Sequence, residues 1–71
     1  MQDLFNTLIK IKVNSNCPFK ARFKGQLRPL TGLTGTVSII YIKSQKVRAS
    51  FTENGQTKAF DLNRNYFEFL S

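Results

Sequence analysis

The 71-residue chain has no histidine and no tryptophan, one cysteine, two prolines and only four acidic residues. Each shortage excludes something. Without histidine, and with Cys17 alone between Asn16 and Pro18, there is neither a clustered ligand set for zinc nor a base to activate the thiol. An internal disulfide is impossible, so Cys17 reads as an incidental loop cysteine in a protein kept in a reducing compartment. Asp3, Glu53, Asp61 and Glu68 are too few and too scattered to make a carboxylate pair, and no glycine-rich phosphate loop precedes a helix. Every common catalytic constellation lacks a member. The chain is therefore not read as an enzyme: no catalytic residue, metal, cofactor or small-molecule substrate is expected. No apolar run approaches the roughly 20 residues that span a bilayer. Met1-Gln2-Asp3-Leu4-Phe5 carries no basic n-region, so a cytoplasmic location with no membrane partner is expected.

What is abundant is positive charge. Eleven Lys and Arg against four acids give a net charge of +7, with a pI near 10.1. Between Asp3 and Glu53 there is no acid at all, while nine of the cations fall there. A basic body with acidic margins is the electrostatic footprint of a protein with an anionic partner. The composition, 41% hydrophobic with seven Phe, is rich enough to fill a small core and too rich for a disordered tail.

Periodicity points to an all-β chain folded as one domain over residues 1–71. Asp3 followed by Leu4, Phe5 and Leu8 is compatible with one short N-terminal helical turn. Ile9-Lys10-Ile11-Lys12-Val13 alternates strictly, a half-buried strand with a basic outer side. After an Asn/Ser/Pro turn, Phe19-Lys20-Ala21-Arg22-Phe23-Lys24 alternates again, with Phe19, Ala21 and Phe23 expected inside and three cations outside. Residues 26–30 read as irregular. Gly32 and Gly35 introduce Thr36 to Ile42, which is apolar on both faces: Val37, Ile39 and Tyr41 on one, Ile40 and Ile42 on the other. Such a strand is buried on both sides or changes face at a bulge, and the bulge is favoured here. Lys43-Ser44-Gln45-Lys46 is the hairpin loop that follows. Val47, Ala49 and Phe51 answer on the next strand. Asn54-Gly55 marks a type I′ hairpin, with Phe60 and Leu62 in the core beyond it. Asn63-Arg64-Asn65 suits a 3₁₀ turn, and residues 66–70 form a last short strand.

Five short strands, one long early excursion and a 3₁₀ turn before the last strand are what an SH3-like five-stranded small barrel requires, and closure would remove exposed edges. A five-stranded OB barrel is the competitor, but residues 52–57 leave no room for its usual helix.

Gly32-Leu33-Thr34-Gly35-Thr36-Val37-Ser38-Ile39-Ile40, a basic polar loop, and then Lys46-Val47-Arg48-Ala49-Ser50-Phe51 resemble the KOW motif, which marks SH3-like barrels in ribosomal proteins and transcription elongation factors. The resemblance spans residues 30–52. Gly35 corresponds to its central glycine, Val37 and Ile40 to its apolar pair, and Val47 to the start of the answering strand. In that family the loops flanking the motif contact RNA or protein. The resemblance thus points to Lys43, Lys46 and Arg48, with Arg28 close to the glycine turn. Leu33 stands where the family often has a basic residue.

Two functions from different classes follow. In the first, the chain is a nucleic-acid-binding module, for RNA or DNA. Lys20, Arg22 and Lys24 together with Arg28, Lys43, Lys46 and Arg48 would neutralise phosphates, with Tyr41 or Phe19 as a stacking surface unless both lie in the core. Such binding would be largely sequence-independent, because few Asn or Gln accompany the basic strands to read bases. In the second, the same kind of barrel is a docking subunit that holds an acidic protein surface of a larger complex.

Overall fold

Strict alternation in a short chain needs a partner strand for every run, and the computed structural model, which describes residues 9–70, shows how each finds one. Seven strands form: β1 Lys10–Val13, β2 Lys20–Phe23, β3 Gln26–Pro29, β4 Thr34–Tyr41, β5 Lys46–Glu53, β6 Gln56–Asn63 and β7 Phe67–Phe69. A 3₁₀ turn, Arg64–Tyr66, precedes β7. The fold is all-β, in two antiparallel sheets. Five strands run in the order β6-β5-β4-β1-β7, and β2 and β3 make a separate hairpin. The expected closure is not formed by hydrogen bonding: among the described residues no ladder joins β6 to β7, and the five-stranded sheet stays open. The helical turn expected near residues 3–8 lies outside the described residues.

The core lies between the concave face of the large sheet and the β2–β3 hairpin. Ile11, Val13, Val47, Ala49 and Phe51 come from the sheet, Ala21 and Phe23 from the hairpin, and all are buried. Phe51 is the hub, with Phe67 stacked at 6.3 Å and Phe60 tilted against it at 6.2 Å. Val37, Phe60, Leu62 and Tyr66 pack around the margin. Gly35 is required by proximity rather than by φ: a Cβ there would run into the Ser50 carbonyl and the Phe51 ring.

Several expectations need correction. Residues 26–29 are a strand rather than irregular. Lys24 (φ 51°) and Gly25 (φ 83°) both adopt positive φ, which makes the two-residue turn that folds β3 back on β2. Phe19 does not point inward; it is 45% exposed and meets the Tyr66 ring edge-on at 5.7 Å. Cys17 lies in a loop, between β1 and β2, as expected, but is buried with Leu30 and Leu33 as part of the core. Ile42 belongs to the β4–β5 turn and is 85% exposed, because β4 ends at Tyr41. The 3₁₀ turn starts one residue later than expected. Asn63 caps it, its Oδ1 accepting from the Asn65 amide at 2.9 Å, so Tyr66 joins the turn and not the last strand.

Other expectations hold. Asn54 (φ 53°) and Gly55 (φ 78°) form the β5–β6 turn. The register of β4 on β5 shifts between Val37 and Ile39, with Ser38 the extra residue. This bulge places Val37 opposite Ala49 and Ile40 opposite Val47, while Ile39 and Tyr41 face Arg48 and Lys46. The side of the strand that faces the core therefore changes partway along it, although Ile39 and Ile40 are both exposed beyond the bulge.

Candidate functional site

The cations expected to bind a partner are distributed by register into two separate groups. Cross-strand neighbours share a sheet face. Lys20 pairs with Pro29 and Arg22 with Leu27, so these four side chains lie together on the solvent face of the β2–β3 hairpin. Lys24 is at its tip. The Lys24 amide donates to Gln56 Oε1 at 2.6 Å, and the Asn54 side-chain amide donates to the Phe23 carbonyl at 3.5 Å, which fastens the tip to the β5–β6 turn. Arg22 Nη1 donates to the Gly25 carbonyl at 3.1 Å and is held along the hairpin.

Lys43 and Lys46 lie at the opposite end, in and beside the β4–β5 turn. The eight residues of β5 separate the two ends, about 23 Å at the usual strand rise. Lys24 at the tip is therefore a strand's length from Lys43 and Lys46.

Two of the expected arginines are engaged by acids. Arg28 Nη1 donates to Glu53 Oε2 at 2.9 Å, and its other nitrogens reach the Pro29 and Thr31 carbonyls at 2.8 and 3.3 Å. Arg48 makes a two-pronged contact with Asp61, Nε to Oδ1 at 2.6 Å and Nη2 to Oδ2 at 3.0 Å, directly across from it on β6. These hydrogen bonds hold the Asp61 carboxyl below its usual range, against the opposing effect of desolvation, and raise the Arg48 guanidinium. Tyr41 lies next to Lys46 on the outer face. Tyr41 is half-buried and Phe19 leans on Tyr66, so neither ring is a free stacking plane set among the β2 cations.

The alternation pattern did not mark Lys58, Arg64 or Phe69. Lys58 lies with its Nζ 5.7 Å from the Phe23 ring centroid and adds a fourth cation to the hairpin end. Counting back from the Asn54-Gly55 turn places Lys58 opposite Phe51 on the core-facing side, a signal available in the sequence. Arg64 and Phe69 line a groove of about 330 Å³ at the other end, together with Ile40, Tyr41, Ile42, Gln45, Lys46 and Val47. The Arg64 amide donates to the Gln45 carbonyl at 2.8 Å, which ties the 3₁₀ turn to the β4–β5 turn and sets the width of that groove.

Among the described residues no group of three or more His, Cys, Asp or Glu converges on a point, and no charged or polar side chain is buried. No helix among them is long and apolar enough to cross a membrane. The arrangement lends itself to charge recognition and to burial of an apolar side chain. The chain matches no protein-family model, no curated protein and no solved structure.

Proposed function

We propose that this chain is a small SH3-like module that binds nucleic acid, RNA or DNA, through the phosphate backbone with low sequence specificity. The SH3-like assignment is supported by the strand order, in which the last strand pairs with the first, by the hairpin inserted between β1 and β4, and by the 3₁₀ turn before β7. One observation carries the functional reading. Glu53 and Asp61 are each taken up by an arginine, so Lys20, Arg22 and Lys24 face solvent with no carboxylate partner among the described residues. Lys20 and Arg22 project from the same hairpin face, and a polyanion would relieve their mutual repulsion. A lone buried thiol suits a reducing, cytoplasmic setting.

The test is a salt titration of binding to duplex DNA, single-stranded DNA and RNA. Affinity should fall steeply between about 50 and 200 mM salt. No binding to any of the three at about 50 mM overturns the reading. A second reading, docking on an acidic protein surface, is favoured by one observation, the apolar groove at the far end, whose floor offers nothing to a phosphate.

A further inference from the structure

Large apolar side chains at the surface mean most where they cluster. Among the described residues seven are exposed; Ile40, Ile42 and Phe69 line the groove, and Ile39 and Leu70 adjoin them in sequence. Val47, buried, provides the floor. The bulge at Ser38 turns Ile40 to this side, and the amide of Arg64 on the Gln45 carbonyl holds the two walls. The rim is cationic. Neither Lys46 nor Arg64 has an ion pair among the described residues, Lys43 is close by in the turn, and no acid lines the groove. Asp61, the acid that Lys46 influences, is already occupied by Arg48.

Ile40, Ile42 and Val47 outnumber the two rings in the lining, Phe69 and Tyr41, which suits a bulky apolar side chain better than a nucleobase that needs flat faces to stack on. The volume is at the low end for a ligand site and accommodates one or two side chains. Two unpaired cations at the margin call for carboxylates beside them, which steer the encounter while apolar contact supplies the affinity. We infer that this groove docks an acidic segment of a partner protein, with one or two bulky apolar side chains between Ile40, Ile42 and Phe69 and flanking carboxylates against Lys46 and Arg64. The inference rests on the docking reading. Its failure is distinguishable from that of the nucleic-acid reading, because the two are tested at opposite ends of the molecule.

The probe is a fluorescein-labelled hexapeptide, Asp-Glu-Leu-Phe-Asp-Glu, titrated into the full chain, with backbone amide shifts followed in parallel. Saturable binding is expected, with the largest shifts at Ile40, Ile42 and Phe69. The Ile42→Asp variant should weaken it by about tenfold or more, as loss of one well-buried apolar contact implies. Because Ile42 is exposed in a turn, that change leaves the fold intact, and an unchanged amide spectrum elsewhere checks this. Arg64→Glu should weaken binding several-fold at low salt, and a peptide with Ser in place of Leu and Phe should not bind. Equal binding by the wild-type chain and Ile42→Asp overturns the inference. So does displacement of the peptide by oligouridylate that itself shifts Ile42 and Phe69, which would make the groove a nucleic-acid site. A peptide that binds only after Leu4→Ser and Phe5→Ser are introduced together would show that the chain's own first residues fill the groove, and this too overturns it.

Discussion

The two ends of the β4–β5–β6 sheet solve the same problem, how to finish a twisted hairpin, in opposite ways. At the β5–β6 turn, the β2–β3 hairpin is laid across the end and fastened by Lys24 on Gln56, Asn54 on the Phe23 carbonyl and Arg28 on Glu53. Phe23 is completely buried beneath these contacts. At the β4–β5 turn one backbone bond, from Arg64 to Gln45, spans the gap, and isoleucines stand in solvent. One end is closed by the chain itself and the other leaves apolar area uncovered. Leu27 is exposed on the hairpin as a single side chain, whereas Ile40, Ile42 and Phe69 are exposed together at the β4–β5 end, which points to a use for that end rather than to a generally weak core.

The sharpest test of that contrast is a pair of truncations. Phe23→Ala should cost about 3–5 kcal/mol, a large share of the stability of a small domain, whereas Ile42→Ala should change it by less than about 0.5 kcal/mol. Urea unfolding followed by fluorescence or circular dichroism measures both, and similar losses would erase the distinction between the ends.

Charge gives the next effect. Reversing Lys20 and Arg22 together to Glu should reduce affinity for single-stranded RNA by roughly tenfold or more at low salt and lower the salt slope by about 2, while Lys43→Glu alone lowers it by no more than about 1. Filter binding across a salt series separates these, and a larger effect at Lys43 would move the phosphate contacts to the other end. Glu53→Gln removes the charge partner of Arg28 at a site about one-third exposed and should cost about 1 kcal/mol or less, read as a shift in urea midpoint.

The smallest effect is one of pH. Asp61 has a lowered carboxyl pKa in the folded state, so its contribution is complete above the unfolded value near 4 and is lost as pH falls through the folded one. Asp61→Asn should lower stability slightly at neutral pH, where the contribution is complete, and leave the most acidic points nearly unchanged, so that the acid limb flattens. An unaltered acid limb in urea midpoints taken from neutral pH downward would show that the Arg48 contact contributes nothing.

Much of this fold was legible because period-2 patterning and turn chemistry are local. β1, β5, the Asn54-Gly55 turn and the bulge were all accessible to residue-by-residue reading. β3 was not, because Lys24-Gly25 is a turn by virtue of a non-glycine residue at positive φ, which composition does not announce. Cys17 and Phe19 exchanged expected places for a tertiary reason: Phe19 lies before β2 begins, where alternation no longer decides which way a side chain points. The candidate site was legible only in its residue types. Lys20, Arg22 and Lys24 are neighbours in the chain, and their grouping needs no topology. That Lys43 and Lys46 lie a strand's length away, or that Arg28 meets Glu53, depends on which hairpin folds over which.

The extra residue at Ser38 acts as a phase shifter. A strand with unbroken alternation is a single sentence: whatever is written on its core side early constrains what stands there at the end. By sliding the pattern one place, the bulge uncouples the two halves, so that Gly35 and Val37 answer to the packing around Phe51 while Ile39, Ile40 and Tyr41 are free to vary with whatever meets the far end. Deleting that one position would exchange the sides of those last three residues together, taking Ile40 away from Val47 and turning Ile39 and Tyr41 inward. A module built this way can change partners by rewriting half a strand and leave its foundations alone.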